Sequence, residues 1–120
     1  MVKILACLLA LVASIGLAHA GKEDAEWNPP PRFDHPYKGE LKRQFLLPEE
    51  VYPVCAKMLA EANGSDKGTY PGMRGCSVRS ENGRKCSVVV SSIPVNKATP
   101  EAILRHEIGH CNGWPFEHPD

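Results

Sequence analysis

The residues best suited to chemistry are two histidines one helical turn apart with a glutamate beside the first, His106-Glu107-Ile108-Gly109-His110. At about 100° per residue, positions i and i+4 stand roughly 40° apart on one helix face. Two imidazoles so placed can converge on one ion at the zinc–nitrogen distance of about 2.0–2.1 Å. Glu107 lies about 100° round from His106, on the flank of that face, where a carboxylate reaches a water on the metal rather than the metal. Zinc brings the pKa of such a water to about 7, and a carboxylate there can take its proton and hand it to a leaving amine. The expected chemistry is amide hydrolysis without a covalent intermediate. Glu107 is the candidate base, and His106 and His110 are candidate ligands of one Zn²⁺ ion.

These residues need a helix, and the sequence supplies one. Thr99-Pro100-Glu101 gives a capping hydroxyl, a proline for the first helical position and an acid for the first turn. The helix is expected over about 100–111, with Gly113 as its stop and Leu104, Ile108 and Cys111 on a buried back. A first helix is expected over about 48–62. It opens on Leu47-Pro48-Glu49-Glu50, turns Val51, Val54, Cys55, Met58 and Leu59 to one apolar face, and ends at Asn63-Gly64. Between the helices lies a glycine-containing loop, residues 65–75, with Tyr70-Pro71-Gly72 as a turn, and then a hairpin around Glu81-Asn82-Gly83.

Two hairpin registers compete. A two-residue Asn82-Gly83 turn puts Cys76 and Cys86 on opposite faces. A three-residue loop pairs Ser80 with Arg84 and gathers Cys76, Val78, Cys86, Val88 and Val90 on one face. The second makes one coherent apolar surface and is the register expected. Residues 39–47 include a short strand. Residues 21–38 hold Trp27-Asn28-Pro29-Pro30-Pro31 and His35-Pro36, which read as an extended, surface-hugging arm.

The remaining residues set the context. A chain of 120 residues is one domain's worth. Lys3, the apolar run of residues 4–18 and Ala18-His19-Ala20 have the layout of a secretory signal peptide cleaved after Ala20, and the run is shorter than the roughly 20 residues a bilayer requires. The 14 basic and 14 acidic residues balance, so no basic field attracts nucleic acid or anionic lipid. Cys55, Cys76, Cys86 and Cys111 read as two disulfides of an exported domain, and they lack the close pairing of structural cysteine–zinc sites. Bridges reaching the helices through Cys55 and Cys111 suit the expected register.

His106-Glu107-x-x-His110 resembles the HExxH helix of the zincin metallopeptidases, and the longer string through Cys111-Asn112-Gly113-Trp114 resembles small exported bacterial proteins. The resemblance implies an α+β domain over residues 39–120, with a small antiparallel sheet or hairpin, two main helices and a zincin-like active helix near the C terminus. It also implies a strand that holds substrate in extended form, for which residues 88–93 are the candidate. The activity implied is that of a periplasmic or secreted zinc peptidase acting on proteins or peptides. The third ligand departs from the metzincin pattern. Gly113 fits, but Phe116 occupies the ligand position, so His118 is the expected third ligand, ahead of Asp120 and Glu117 and well ahead of His35. Tyr37, Tyr52 and Tyr70 are candidate oxyanion donors. The rival reading is a non-catalytic exported binding protein with a structural zinc, or with no metal.

Overall fold

The computed structural model describes residues 27–120; the expected signal peptide and the first residues of the arm lie outside them. Five elements follow in order: β1 (Glu40–Leu46), α1 (Pro48–Asn63), β2 (Gly75–Arg79), β3 (Lys85–Ser91) and α2 (Pro100–Cys111). The helices start and stop for local reasons. In α1, proline and two glutamates occupy the first turn, and Gly64 closes the helix at φ 76°, its N–H donating to the Ala60 carbonyl. Pro53 comes early enough that its missing N–H deprives only a first-turn carbonyl. In α2, the Thr99 hydroxyl accepts from the Ala102 N–H at 3.2 Å.

The α+β class holds, but the sheet is mixed rather than antiparallel. Its order is β1-β3-β2, with β1 parallel to β3 and β2 antiparallel to it. A parallel pair needs a long crossover, and α1 lies in the one that leaves β1. The central strand is therefore buried on both faces: Val88, Val89 and Val90 are each at most 1 % exposed.

That burial also overturns the expected hairpin register. Cys76 opposes Val89, and Ser80 donates to the Lys85 carbonyl at 2.9 Å. Cys76 and Cys86 thus point to opposite faces. The preference for one coherent surface assumed a sheet with a single buried side, whereas here each face has its own helix. Val51, Cys55 and Leu59 of α1 pack with Met73, Cys76 and Val89, while Ile103 and Cys111 of α2 pack with Cys86, Val88, Val90 and Ala98. Each face is closed by one bridge, Cys55–Cys76 and Cys86–Cys111. Disulfides of this kind belong to an oxidising, non-cytoplasmic compartment. Among the described residues no helix is long and apolar enough to cross a membrane.

The described part of the arm is fastened to α2. Pro29 is buried; a Cβ on Gly109 would approach its ring to 2.5 Å, so only bare helix backbone lets the arm lie this close. Asn112 donates to the carbonyls of Phe33 and His35 at 2.8 and 2.6 Å, and Arg105 forks onto both oxygens of Asp34.

Replacing Cys86 and Cys111 together by alanine is expected to lower the unfolding free energy in urea by about 3 kcal/mol. Zinc affinity should fall with it, and should fall less when the Cys55–Cys76 pair is replaced. Equal losses for the two pairs would show that the α2 bridge does not hold the histidine helix in place.

Candidate metal centre

Helix α2 presents His106 and His110 side by side, and the chain after it returns to add a third imidazole. Gly113, at φ 104°, allows the reversal that only glycine makes freely. Trp114 then buries itself against the helix, with 3 % exposure, and stacks on His110 at 5.0 Å between centroids. Its indole N–H donates to the Pro119 carbonyl at 2.8 Å, tying down the last residues. His118 turns back with φ 59°, a left-handed conformation costly for a residue with a Cβ, and its N–H donates to the Pro115 carbonyl.

The result is a convergence of ring nitrogens. Nε2 of His110 lies 3.3 Å from Nε2 of His106 and 3.1 Å from Nε2 of His118. The other ring nitrogens fix the tautomers. His106 Nδ1 donates to the Trp27 carbonyl at 2.6 Å, and His110 Nδ1 donates to the Trp114 carbonyl at 2.7 Å. A carbonyl only accepts, so each Nδ1 carries the hydrogen and each Nε2, in a neutral ring, carries the lone pair. Lone pairs this close repel unless a cation lies between them. Tetrahedral zinc with bonds of about 2.05 Å requires nitrogens about 3.3 Å apart. The two separations fit that requirement, and imidazole nitrogens suit a borderline-soft divalent ion.

Burial keeps the rings neutral. It pulls the His106 pKa down to about 3, against the opposing pull of the Trp27 carbonyl, with smaller downward pushes from His110, His118 and Arg74. Burial likewise lowers His110, again against its carbonyl partner. Burial has the opposite effect on Glu107, whose carboxyl is raised to about 8 despite a hydrogen bond with Ser77. Glu107 is only 6 % exposed, yet it lines the same cleft of about 340 Å³ as the three histidines. A nearby divalent cation would draw that carboxyl back toward its ionised form.

The expected ligand set and the observed cluster coincide. Among the described residues, His106, His110 and His118 are the group whose ligand atoms lie within 4.8 Å of one another. Glu117, Asp120 and His35 are outside it; all three are exposed, and the Asp120 carbonyl accepts from Arg32. Of the three tyrosines, Tyr70 lines the cleft, while the Tyr37 hydroxyl is spent on the Gly83 carbonyl and Tyr52 packs against the α1 core.

The strand expected to hold substrate is not at a sheet edge. β3 is central, with hydrogen bonds on both sides, and the edge beside the cleft is β2. Residues 74, 76, 78 and 80 turn their backbone groups toward β3, so those of Gly75, Ser77 and Arg79 point outward.

Three contributors escaped the sequence reading: the Trp27 carbonyl, the Ser77 hydroxyl and the ring of Pro29. None carries a local signal, because each acts across a large separation in the chain. A tryptophan set among prolines was the nearest hint. Comparisons with protein-family models, curated proteins and solved structures returned no match.

Protein purified without chelator is expected to hold about one zinc per chain by elemental analysis. His118→Ala should weaken zinc by more than the 10–100-fold typical of losing an outer partner, whereas Asp120→Asn should leave it nearly unchanged. The metal-free protein should show opposing pH effects. Its raised Glu107 contributes stability that is complete below about pH 4.5 and is lost as pH rises through about 8. Its lowered His106 contributes stability that is complete above about pH 6.5 and is lost as pH falls toward 3. Glu107→Gln should therefore raise the Tm of chelator-treated protein by about 5 °C or more at pH 8. At pH 5 the gain should be much smaller, and calorimetry of both forms at both pH values checks the sign.

Proposed function

We propose that the chain is an exported, zinc-dependent peptidase in which His106, His110 and His118 hold the ion and Glu107 moves the proton. The observation that carries this reading is the meeting of three histidine Nε2 atoms, with neighbouring separations of 3.1 and 3.3 Å, in one cleft with a buried carboxyl. The three donors gathered among the described residues would leave a fourth position for water or substrate, the arrangement of a catalytic rather than a closed structural site. Bound there, zinc would supply Lewis acidity, activating water at neutral pH and polarising a carbonyl.

The protein residues divide the remaining work. A carboxylate oxygen of Glu107 accepts the proton of the attacking water and then delivers it to the leaving nitrogen. Ser77, on β2, holds that carboxyl by a hydrogen bond and so fixes where the proton is carried. The outward backbone groups of Gly75 and Ser77 offer an extended peptide a strand to pair with. Leu59, Met73, Tyr70 and Phe116 give the cleft an apolar wall for substrate side chains. Trp27 and Trp114 flank the histidines and shield two of them from bulk water.

The alternative, a non-catalytic exported protein stapled by structural zinc, needs a fourth protein donor, and the described residues gather three. Glu107→Gln separates the two readings. It is expected to retain the zinc and to reduce peptide hydrolysis by at least the 10²–10⁴-fold attributed to general acid–base catalysis. Zinc-loaded protein that cleaves no peptide before or after this substitution would leave the structural reading in its place.

A further inference from the structure

Arg74 lies on the wall of the cleft, directly before the first residue of β2. Two contacts hold it. Its carbonyl accepts from the Ser91 N–H at 3.0 Å, and its guanidinium stacks over the Trp27 indole, 4.7 Å from the centroid. That indole stacks in turn on His106 at 4.1 Å. A guanidinium stacked through its plane keeps the N–H donors around its rim free to bind something else. Among the described residues, the two ion pairs are Lys85–Glu40 and Arg105–Asp34, and neither involves Arg74. Among the described residues that line the cleft, Lys67 is the other cation and the one acid is Glu107, buried and bonded to Ser77, so none of them neutralises Arg74. An oriented guanidinium with an unspent rim, beside a reactive centre, is built to receive a planar anion through two parallel hydrogen bonds.

We propose that Arg74 is the specificity residue of this site, and that the substrate is a peptide carrying a carboxylate a fixed distance from the bond to be cut. This rests on the peptidase reading. The carboxylate comes either from an aspartate or glutamate side chain or from the peptide's own C terminus, and an apolar residue beside it occupies the wall of Leu59, Met73 and Phe116. Trp27 thereby serves the site twice, its carbonyl orienting His106 and its ring orienting Arg74.

The test uses the full zinc-loaded chain and peptides in which one glutamate is moved stepwise, each paired with its glutamine counterpart and each made with a free or an amidated C terminus. Glutamate at one position, or a free C terminus at that distance, should raise kcat/KM about tenfold to a hundredfold over the neutral partner. Arg74→Gln should bring that ratio close to one, and Arg74→Lys should keep part of it. Calorimetric binding of the same peptides to zinc-loaded Glu107→Gln should rank them in the same order without turnover. A gain that follows the glutamate and a gain that follows the free C terminus identify the two sources. Equal cleavage and equal binding of acidic and neutral peptides would overturn the inference, and so would a preference that survives Arg74→Gln. If no peptide is cleaved, the peptidase reading fails, and the binding order alone decides the role of Arg74.

Discussion

Two hydrogen bonds organise this protein: those from the Nδ1 atoms of His106 and His110 to the carbonyls of Trp27 and Trp114. Each spends one ring nitrogen on an acceptor and so commits the other to a lone pair. Because the rings face one another and His118, the chain brings two committed lone pairs and a third imidazole nitrogen to one point, where a cation is well received. The rest of the structure can be understood as the means of holding that cluster together. The Pro29–Gly109 contact seats the arm, the Cys86–Cys111 bridge pins the end of the helix, and the Trp114 indole ties down the final turn.

The two-sided sheet sets the electrostatics. A strand buried on both faces leaves room for α2 to press against β2, and this places Glu107 in a dry seam against Ser77. Desolvation there favours the neutral carboxyl of Glu107 and the neutral rings of His106 and His110, so these groups add little charge repulsion to the metal-free fold. A divalent ion held by the histidines would reverse the balance for Glu107, since a neighbouring positive charge favours the carboxylate. One position can thus suit both a stable metal-free fold and the base role proposed for Glu107 with the ion bound.

Much of the site was legible because it is local. The i, i+4 spacing of His106 and His110, the Thr99 cap and the Gly113 stop all lie within one helix and its flanks, where backbone geometry alone fixes relative position. His118 was reachable because it lies only a few residues beyond the helix and a glycine permits the turn. The bounds of both helices also followed from capping residues and apolar spacing. The hairpin register did not. Its local turn signals allowed two pairings one residue apart, and the choice depended on whether one face or two would be covered, which no segment of the hairpin encodes.

The sequence by itself determined the chemistry available: two helical histidines, a carboxylate between them, a third imidazole nearby and four cysteines to brace them. Only the tertiary structure decided how that chemistry is tuned. The parallel placement of β1, the pairing of the cysteines across opposite faces, the Trp27 carbonyl on His106 and the Ser77 hydroxyl on Glu107 all join residues distant in the chain. Such contacts are chosen by which surfaces exclude water together, a property of the packed whole that spacing along the chain does not carry.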